Sequence, residues 1–381
     1  DSSFAGNKTA QGNQDSNDIG DFYYEPPTGF LALCTDNLPD VAVTPSEHFN
    51  TVLYSGTNSS NAITGVGFQP DFVWIKTRSH TEGHQLVNAI SGVTKSLSSS
   101  STEEEKTYSG GLTAFGTDGF TVGTNNRFNY PNYTYVAWNW KANGSGSSNT
   151  NGSITSTVSA NTDAGFSIVS YTGTGSAGTV GHGLSKVPEM IIVKGRTANA
   201  DNWRTYHSGL TDPTEDYLKL NSNDAQIDGS FTTWNSTAPT SSVFSIHTDN
   251  SVNANTKTYI AYAFHSVDGY SKFGSYTGNG QTGSPADGTF VYTGFRPAAI
   301  LIKCTSNTDD WHGWYDNKRG TYNQNSPLVY ANLSSAENAG TNHLDLLSNG
   351  FKLRSDNLNQ SGRTFIYLAF AETPFKYSNG R

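Results

Sequence analysis

The stretch of this chain best suited to binding a ligand lies in its last quarter. It reads Asp309-Asp310-Trp311-His312-Gly313-Trp314-Tyr315-Asp316. Aromatic faces stack on sugar rings, and nearby carboxylates accept hydrogen bonds from hydroxyl groups. These residues predict a saccharide-binding site made of Asp309, Asp310, Trp311, Trp314 and Tyr315. The alternative is that both tryptophans are core residues and the aspartates are turn formers, since large aromatic side chains are mostly buried.

A second group has the spacing of metal ligands. In a strand, alternate residues share a face, so His80, Glu82 and His84 could reach one ion. However, His84 falls where two related segments, described below, carry Trp203 and Trp311, which indicates a packing position. We therefore predict no metal site here.

Adjacent carboxylates occur at Glu103-Glu104-Glu105 and at Asp309-Asp310. A glycosidase needs two carboxylates on separate strands that face each other across a cleft, whereas neighbours in one loop point apart. The sequence also lacks a Gly-x-Ser-x-Gly elbow, a phosphate-binding loop and a dinucleotide fingerprint. We predict no catalytic residue, no cofactor and no enzymatic activity.

The elements that must position these residues recur three times along the chain. Each of three segments has an aromatic strand ending in Tyr-x-Gly, then a Pro with a Lys six residues later after an apolar run, and finally an aromatic strand that begins with Thr. The Tyr, Pro, Lys and final Thr of the three copies are Tyr54, Pro70, Lys76 and Thr134; Tyr171, Pro188, Lys194 and Thr258; and Tyr276, Pro297, Lys303 and Thr364. Ordered landmarks at near-constant spacing indicate a structural repeat.

Composition favours strands. Of 381 residues, 39 are Gly, 12% are aromatic and only 14% are charged. Aromatic and β-branched residues with abundant turn formers favour short strands joined by tight turns. The fold class predicted is all-β, with three tandem β-sandwich, jelly-roll-like repeat modules lying in a row. The modules span residues 49–141, 162–265 and 266–381, and the Gly-, Ser-, Thr- and Asn-rich residues 142–161 are predicted to be a flexible linker.

Charge and cysteine content restrict the partners. The formal net charge is −9, which disfavours nucleic acid and anionic membranes, because both require a basic surface. Cys34 and Cys304 are far apart in sequence, and we expect two unpaired thiols, as suits assembly in a reducing cytoplasm. The chain opens at Asp1 rather than Met, so we expect it to be a fragment or the processed remainder of a longer polypeptide.

Two strings resemble a repeat of marine bacteriophage virion proteins. They are Gly67-Phe68-Gln69-Pro70-Asp71-Phe72-Val73-Trp74-Ile75-Lys76 and Ser348-Asn349-Gly350-Phe351-Lys352-Leu353-Arg354, the latter followed by Ala369-Phe370-Ala371-Glu372-Thr373-Pro374-Phe375. Residues 1–48 are similar to the C-terminal strands of a concanavalin-like or SPRY-like, lectin-like sandwich. The resemblance implies a fibre-like or other structural role in the virion and no catalytic residues.

The function predicted is that of a non-enzymatic bacteriophage virion surface protein, a tail fibre or a capsid or tail decoration. Its expected partners are other virion proteins, and a host surface glycan is a further candidate. A row of sandwiches leaves edge strands and aromatics such as Tyr130 and Tyr133 exposed, so we expect a homo-oligomer, with a trimer favoured. The alternative is a secreted carbohydrate-binding or carbohydrate-degrading protein.

Overall fold

The computed structural model describes residues 9–32, 34, 37, 43–197, 201–281, 287–308, 313–338, 340 and 342–372. The chain divides into two compact units, one of Asp1–Val41 with Phe375–Arg381 and the other of Ala42–Pro374. In the described residues the helices are short and the sheets are antiparallel, so the all-β prediction is confirmed. No helix in this part of the chain is long and apolar enough to cross a membrane.

The first unit is described at residues 9–32, 34 and 37. A β-bridge joins Asn13 to Phe22, and the buried Asp15 carboxylate accepts a hydrogen bond of 2.7 Å from the Ala32 amide. The assignment of this segment to a preceding lectin-like sandwich stays a prediction. Its boundary at residue 48 needs correction, because Val43 already packs in the core of the second unit.

The second unit contains three sandwiches, numbered here in chain order. Sandwich 1 comprises β1 (Phe49–Ser55), β2 (Asn61–Ile63), β3 (Phe72–Thr77), β4 (Gln85–Asn88), β5 (Lys95–Ser96), β6 (Lys106–Thr107), β7 (Leu112–Gly116), β8 (Gly119–Val122), α1 (Asn126–Asn129) and β9 (Thr134–Trp140). A 3-10 turn at Pro45–Glu47 precedes it. Its larger sheet has the order β1-β9-β3-β4 and its smaller sheet the order β2-β8-β7.

Sandwich 2 has a longer main sheet. Its elements are β10 (Ser147–Asn149), β11 (Ser156–Asn161), β12 (Phe166–Thr172), β13 (Gly178–Gly181), β14 (Met190–Gly195), β15 (Arg204–His207), β16 (Asp216–Tyr217), β17 (Ile227–Asp228), α2 (Phe231–Trp234), β18 (Val243–Ile246), α3 (Asn250–Asn253) and β19 (Thr258–Phe264). The main sheet has the order β10-β11-β12-β19-β14-β15, and β13 pairs with β18 in the smaller sheet.

Sandwich 3 completes the unit. It comprises β20 (Ser271–Thr277), β21 (Phe290–Tyr292), β22 (Pro297–Cys304), β23 (Gly313–Asp316), β24 (Val329–Tyr330), β25 (Leu344–Leu347), β26 (Gly350–Leu353), a 3-10 turn at Asp356–Leu358 and β27 (Thr364–Ala371). The main sheet has the order β20-β27-β22-β23-β24, and the smaller sheet the order β21-β26-β25.

All three main sheets place the closing strand between the opening strand and the apolar run. The closing strands β9, β19 and β27 each pair with the opening strand on one side and with the apolar run on the other. Each sandwich has its own core between the larger and the smaller sheet, as Val73 and Phe120 illustrate in sandwich 1. The landmarks noted in the sequence therefore occupy corresponding positions in the three sheets.

A hydrogen-bonded tyrosine and a buried asparagine close each sandwich at one end. The buried asparagine lies five residues before the Thr that begins the closing strand. The tyrosine of the Tyr-x-Gly motif donates its hydroxyl hydrogen to the backbone carbonyl of the residue that directly precedes this asparagine. The Tyr, carbonyl and asparagine are Tyr54, Phe128 and Asn129; Tyr171, Val252 and Asn253; and Tyr276, Leu358 and Asn359. Each asparagine side chain also accepts a backbone N–H beyond the Tyr-x-Gly motif, which satisfies polar groups that the turn would otherwise leave unpaired.

A shared core joins the three sandwiches. The outer faces of the main sheets do not meet solvent but pack against one another in one cluster of buried side chains. Phe72 of sandwich 1 stacks on Tyr262 of sandwich 2 at 4.3 Å between ring centroids. Trp138 of sandwich 1 stacks on Trp314 of sandwich 3 at 4.8 Å. The central strands of the main sheets, such as β3, β14 and β22, carry apolar residues on both faces, and both faces are buried.

The predicted arrangement in a row is wrong. In a row, the first and third modules would not touch, yet Trp138 and Trp314 are in contact. Sandwiches 2 and 3 also meet in the same core, where the ring centroids of Phe264 and Phe273 lie 5.5 Å apart. Each sandwich thus contacts both others, and the three form a closed ring around common aromatic side chains. Burial of these side chains adds a favourable contribution that three separate modules would not have.

The predicted linker at 142–161 also needs correction. Residues Ser147–Asn149 and Ser156–Asn161 are the strands β10 and β11, which extend the main sheet of sandwich 2 beyond β12. Val158 packs in the core of that sandwich, and the Ser156 hydroxyl donates a hydrogen bond of 2.9 Å to the Gly181 carbonyl. Small polar residues here cover a strand edge rather than form a flexible connection.

The string Thr248-Asp249-Asn250 has the composition of a tight turn but leads into a short helix. Asp249 caps the short helix α3, where its side chain accepts the Ser251 amide at 2.9 Å. It corresponds to Asn125, which caps α1 in sandwich 1 through the Arg127 amide. Asp and Asn are common in both turns and helix caps, so composition alone did not separate the two.

Candidate functional site

The lysine that ends each apolar run is buried at a seam between two sandwiches. Lys76, Lys194 and Lys303 are at most 2% exposed. Lys194 Nζ donates hydrogen bonds to the Thr102 carbonyl of sandwich 1 at 2.7 Å and to the Asp201 carbonyl at 2.6 Å. Lys303 Nζ donates to the Asn223 carbonyl of sandwich 2 at 3.1 Å. Burial lowers the pKa of Lys76 and of Lys194 to about 8.

Two residues after each of these lysines, the same backbone contact crosses a seam. The carbonyls of Arg78, Arg196 and Thr305 accept the amides of Glu337, Glu105 and Gln226 at 2.8, 3.0 and 2.8 Å. We name these the first seam (sandwiches 1 and 3), the second seam (sandwiches 2 and 1) and the third seam (sandwiches 3 and 2). The contacts run in one direction around the ring, so each sandwich gives one face to each neighbour.

Side chains strengthen the first two seams. Arg78 binds Glu337 through two hydrogen bonds of 2.9 and 2.8 Å, and Arg196 binds Glu105 through two of 2.9 and 3.0 Å. Paired geometry of this kind gives charge-assisted hydrogen bonds with fixed orientation. The third seam carries Thr305 and Gln226 at the corresponding positions, so it has no ion pair there.

A second set of contacts lies deeper in the same seams. The last residues of β4, β15 and β23 are Asn88, His207 and Asp316. Asn88 Nδ2 donates to the Tyr262 hydroxyl at 3.1 Å across the second seam, and Trp138 Nε1 donates to Asp316 Oδ2 at 3.2 Å across the first. In the third seam Leu368 stands where Trp138 and Tyr262 stand, so no such side-chain bond forms there.

The first seam contains a buried charge network. Asp316 and Arg319 are fully buried and form an ion pair of 2.6 Å. Arg319 also binds Glu337 at 3.2 Å and lies 5.3 Å over the Trp138 ring. Burial opposes the charge of Glu337, but hydrogen bonds from Arg78 and Arg319 prevail and lower its pKa. A buried pair of this kind is costly to break, because removing one partner leaves the other charge without compensation.

His84 and Trp203 each form a hydrogen bond from the side chain to a backbone carbonyl across a seam. His84 Nδ1 accepts Trp74 Nε1–H at 2.8 Å, and His84 Nε2 lies 2.8 Å from the Tyr330 carbonyl of sandwich 3, to which the neutral ring donates. Trp203 Nε1 donates to the Ser98 carbonyl of sandwich 1 at 3.0 Å. Burial and the nearby Lys76 lower the pKa of His84 to about 3. The imidazole is therefore a neutral structural group.

Of the five residues predicted to bind saccharide, the two that the structure describes, Trp314 and Tyr315, do not form a surface. Asp309, Asp310 and Trp311 lie outside the described residues. Trp314 is 1% exposed in the shared core, and Tyr315 is fully buried in the core of sandwich 3. Alternation along β23 sends these two rings to opposite buried faces, so neither offers a face on which a sugar could stack.

The metal-like group does not converge either. His84 points into the first seam, Glu82 forms an ion pair with Arg127, and the exposed His80 stacks on Tyr133 at 3.9 Å. The segment between β3 and β4 is not a strand, so its alternate residues do not share a face. Across the described ranges, no three His, Cys, Asp or Glu side chains are placed to hold a metal ion.

The last residue of the acidic run at 103–105 is part of a seam. Glu105 binds Arg196 and is one-tenth exposed, whereas Glu103 and Glu104 are exposed. Sequence reasoning identified no partner for Glu105. The signal that could have identified it is the arginine two residues after the motif lysine, which recurs as Arg78 and Arg196 and requires an acidic partner.

Two small cavities lie inside the ring. One, in the shared core, has a volume of about 10 Å³ and is lined by Phe72, Trp140, Tyr262 and Phe370 among other apolar residues. The other, of similar volume, lies at the third seam between Met190, Leu218 and Leu301. Such a volume is about that of one water molecule, so neither cavity holds a sugar or a cofactor.

Comparison with known proteins gives a family but no relative of established function. No curated protein and no solved structure matches the chain. One family model matches, described as a domain of unknown function (DUF7483), and it covers residues 44–374. This single match extends over all three sandwiches and nearly coincides with the compact unit Ala42–Pro374. The chain therefore belongs to the DUF7483 family.

Proposed function

We propose that this chain is a non-enzymatic structural protein of a bacteriophage virion surface, a tail fibre or a capsid or tail decoration. The observation that carries the proposal is that its potentially reactive side chains form structural hydrogen bonds and ion pairs. His84, Glu105 and Asp316, which could in principle serve chemistry, are instead bonded across the seams of the ring. The interior thus stabilises one rigid body.

Catalysis needs a reactive group that substrate can reach. The cavities noted above are apolar and hold about one water molecule each. The lysines with lowered pKa are buried against backbone carbonyls, so their nitrogens are occupied as donors. A structural role is the better account of these groups, and the resemblance of the repeat strings to virion proteins supplies the location.

We also propose that the chain joins other virion proteins and forms a homo-oligomer, with a trimer favoured. The trimer was predicted because a row of sandwiches would leave edge strands and aromatic side chains exposed. Some of these aromatic side chains are already buried within one chain, because the three sandwiches pack against each other. An aromatic cluster remains at the surface of sandwich 1, where the exposed His80 and Tyr130 contact the half-buried Tyr133, with 4.4 Å between the ring centroids of Tyr130 and Tyr133. Sedimentation of the purified chain should give the mass of a trimer that the Tyr130→Ser variant weakens; a monomer would refute assembly through this chain alone.

The test of location uses the phage particle. Purified virions should contain the chain at a fixed number of copies, and antibodies against sandwich 3 should label intact particles. Absence of the chain from virions of a phage whose genome encodes it would overturn the proposal. Release of reducing sugars from polysaccharide by the purified chain would overturn its non-enzymatic part.

A further inference from the structure

The outer face of the smaller sheet in sandwich 3 carries two exposed aromatic rings. Phe290 is 43% exposed and Tyr292 is 64% exposed. They alternate with the buried Val291 on the edge strand β21, so both rings lie on the solvent side of the sheet. Their separation along the strand is about 7 Å.

Cross-strand neighbours complete this surface, which we name the β21 face. Phe290 lies opposite Lys352, and Lys352 lies opposite Asp345. Tyr292 lies opposite Gly350, and Gly350 lies opposite Leu347. The two strands approach too closely at Gly350 for a larger residue, because a Cβ there would lie 2.1 Å from the Val291 carbonyl oxygen and 3.1 Å from the Phe290 ring.

Charged groups border the aromatic rings. Lys352 Nζ binds Asp287 Oδ1 at 2.7 Å, and Arg354 Nε binds Asp345 Oδ2 at 2.6 Å. The Asp287 side chain is 88% exposed, so its carboxylate can accept further hydrogen bonds. The β21 face therefore combines apolar ring surface with both donors and acceptors, and its charges balance.

The other two sandwiches lack this combination at the corresponding positions. The buried Phe120 and Phe244 correspond to Phe351 of sandwich 3, which pairs with Val291. Counting from the strand partners of these phenylalanines places Ala62 and Thr179 where sandwich 3 has Phe290. The positions corresponding to Tyr292 hold Thr64 and Gly181. Large aromatics here are not needed to build a smaller sheet, because two sheets of the same protein form without them.

We propose that the β21 face binds saccharide, and specifically a neutral hexose polysaccharide. The flat C–H face of a sugar packs on Phe290 and Tyr292, while its hydroxyls bond with Asp287 and Lys352. Balanced local charge and the overall charge of −9 argue against an anionic polymer. The inference deepens the proposed function by naming a ligand class, and it rests on that function only for the biological source of the sugar.

The test is affinity electrophoresis of the purified full chain in native gels that contain laminarin, mannan, dextran or galactan. We expect at least one polymer to retard the chain. Phe290→Ala and Tyr292→Ala should each weaken that retardation about tenfold, the loss of one stacked ring. Tyr292→Phe should retain most of it, because the ring face remains.

The matched control is Phe231→Ala, which removes an exposed ring from sandwich 2 and should bind as the unmodified chain does. Unchanged circular-dichroism melting will show that the variants are folded. The inference is overturned if none of the four polymers retards the chain, or if retardation survives both alanine variants. It is equally overturned if Tyr292→Ala abolishes only self-association, which would make the face an interface between copies. These results do not depend on whether virions contain the chain.

Discussion

Two of the three seams have an arginine–glutamate ion pair beside the backbone contact and the third has none there, yet the same backbone hydrogen bond closes all three. The first seam has Arg78 with Glu337, the second has Arg196 with Glu105, and the third has Thr305 with Gln226. The backbone hydrogen bond at these positions is 2.8–3.0 Å long in every case. Closure therefore depends on backbone pairing and on the shared core, and ion pairs are additions to two of the seams.

Local packing differs accordingly. The first seam is filled by Trp138, Asp316 and Arg319, whereas the third seam has mostly apolar side chains, together with Lys303, around a cavity of about 10 Å³. Polar side chains in a seam fix its register because an unpaired buried donor or acceptor is costly. We expect the first seam to be the most specific and the third the most tolerant of substitution.

The largest effect should come from Trp314→Ala, which removes a ring that faces the seams from within the shared core. Trp314 lies 4.8 Å from Trp138 and 5.4 Å from Trp74. We expect the free energy of unfolding to fall by about 3–5 kcal/mol. Urea denaturation measures this loss, and Phe231→Ala, an exposed ring, should change stability by less than about 0.5 kcal/mol. A loss below about 1 kcal/mol would contradict burial of Trp314.

Asp316→Asn tests the charge network of the first seam. It leaves the buried Arg319 with Glu337 as its remaining carboxylate partner and disturbs the bond from Trp138. We expect a loss of about 3 kcal/mol in unfolding free energy. Thr305→Val, in the third seam, removes no charge, so it is the comparison variant and should cost less than about 1 kcal/mol. Equal losses in the two variants would remove the distinction between the seams.

Acid should weaken the first seam through His84. Its pKa is lowered to about 3 in the folded chain, against about 6.5 when unfolded, so its stabilising contribution is present above pH 6.5 and is lost as the pH falls toward 3. Between pH 6.5 and pH 5 the unfolding free energy should fall by about 2 kcal/mol because of His84. His84→Gln does not titrate, so its unfolding free energy should fall by that much less over the same interval. His182, His207 and His343 also have lowered pKa values, and they are common to both proteins. Parallel pH profiles would show that His84 is not buried and neutral.

The smallest effect expected is the coupling within the second seam. A double-mutant cycle of Arg196→Ala and Glu105→Ala should give about 1.5 kcal/mol, because the pair is largely buried and makes two charge-assisted hydrogen bonds. The same cycle on Thr305 and Gln226 should give about zero, since their contact is made by the backbone. Coupling of equal size at both sites would show that side chains contribute alike to the seams.

The strands of this fold were predictable, whereas their assembly was not. Apolar runs such as Phe72–Ile75 indicate burial on both faces, and the closing strands alternate large and small side chains between their two faces. The same pattern fits the centre of one sandwich and the core of a ring. Trp138 and Trp140 in one closing strand were the available indication, because their bulk exceeds what a two-sheet core requires.

The candidate site was predicted poorly because residue type alone does not give exposure. The Trp314-Tyr315 pair looked suited to sugars, yet alternation along β23 buries both rings. Phe290 and Tyr292 form a less conspicuous pair, and their exposure depends on β21 being an edge strand of a small sheet. Comparison of the three copies position by position would have marked them, since the other copies have Ala, Thr or Gly there.

Differential scanning calorimetry of the intact chain tests most directly the claim that three sandwiches share one core and fold as one body. A closed ring predicts that residues 42–374 unfold in one cooperative transition, with a calorimetric enthalpy close to the van't Hoff enthalpy. Trp314→Ala should lower that whole transition rather than split it. Three separable transitions, with only the one from sandwich 3 shifted by Trp314→Ala, would contradict the account.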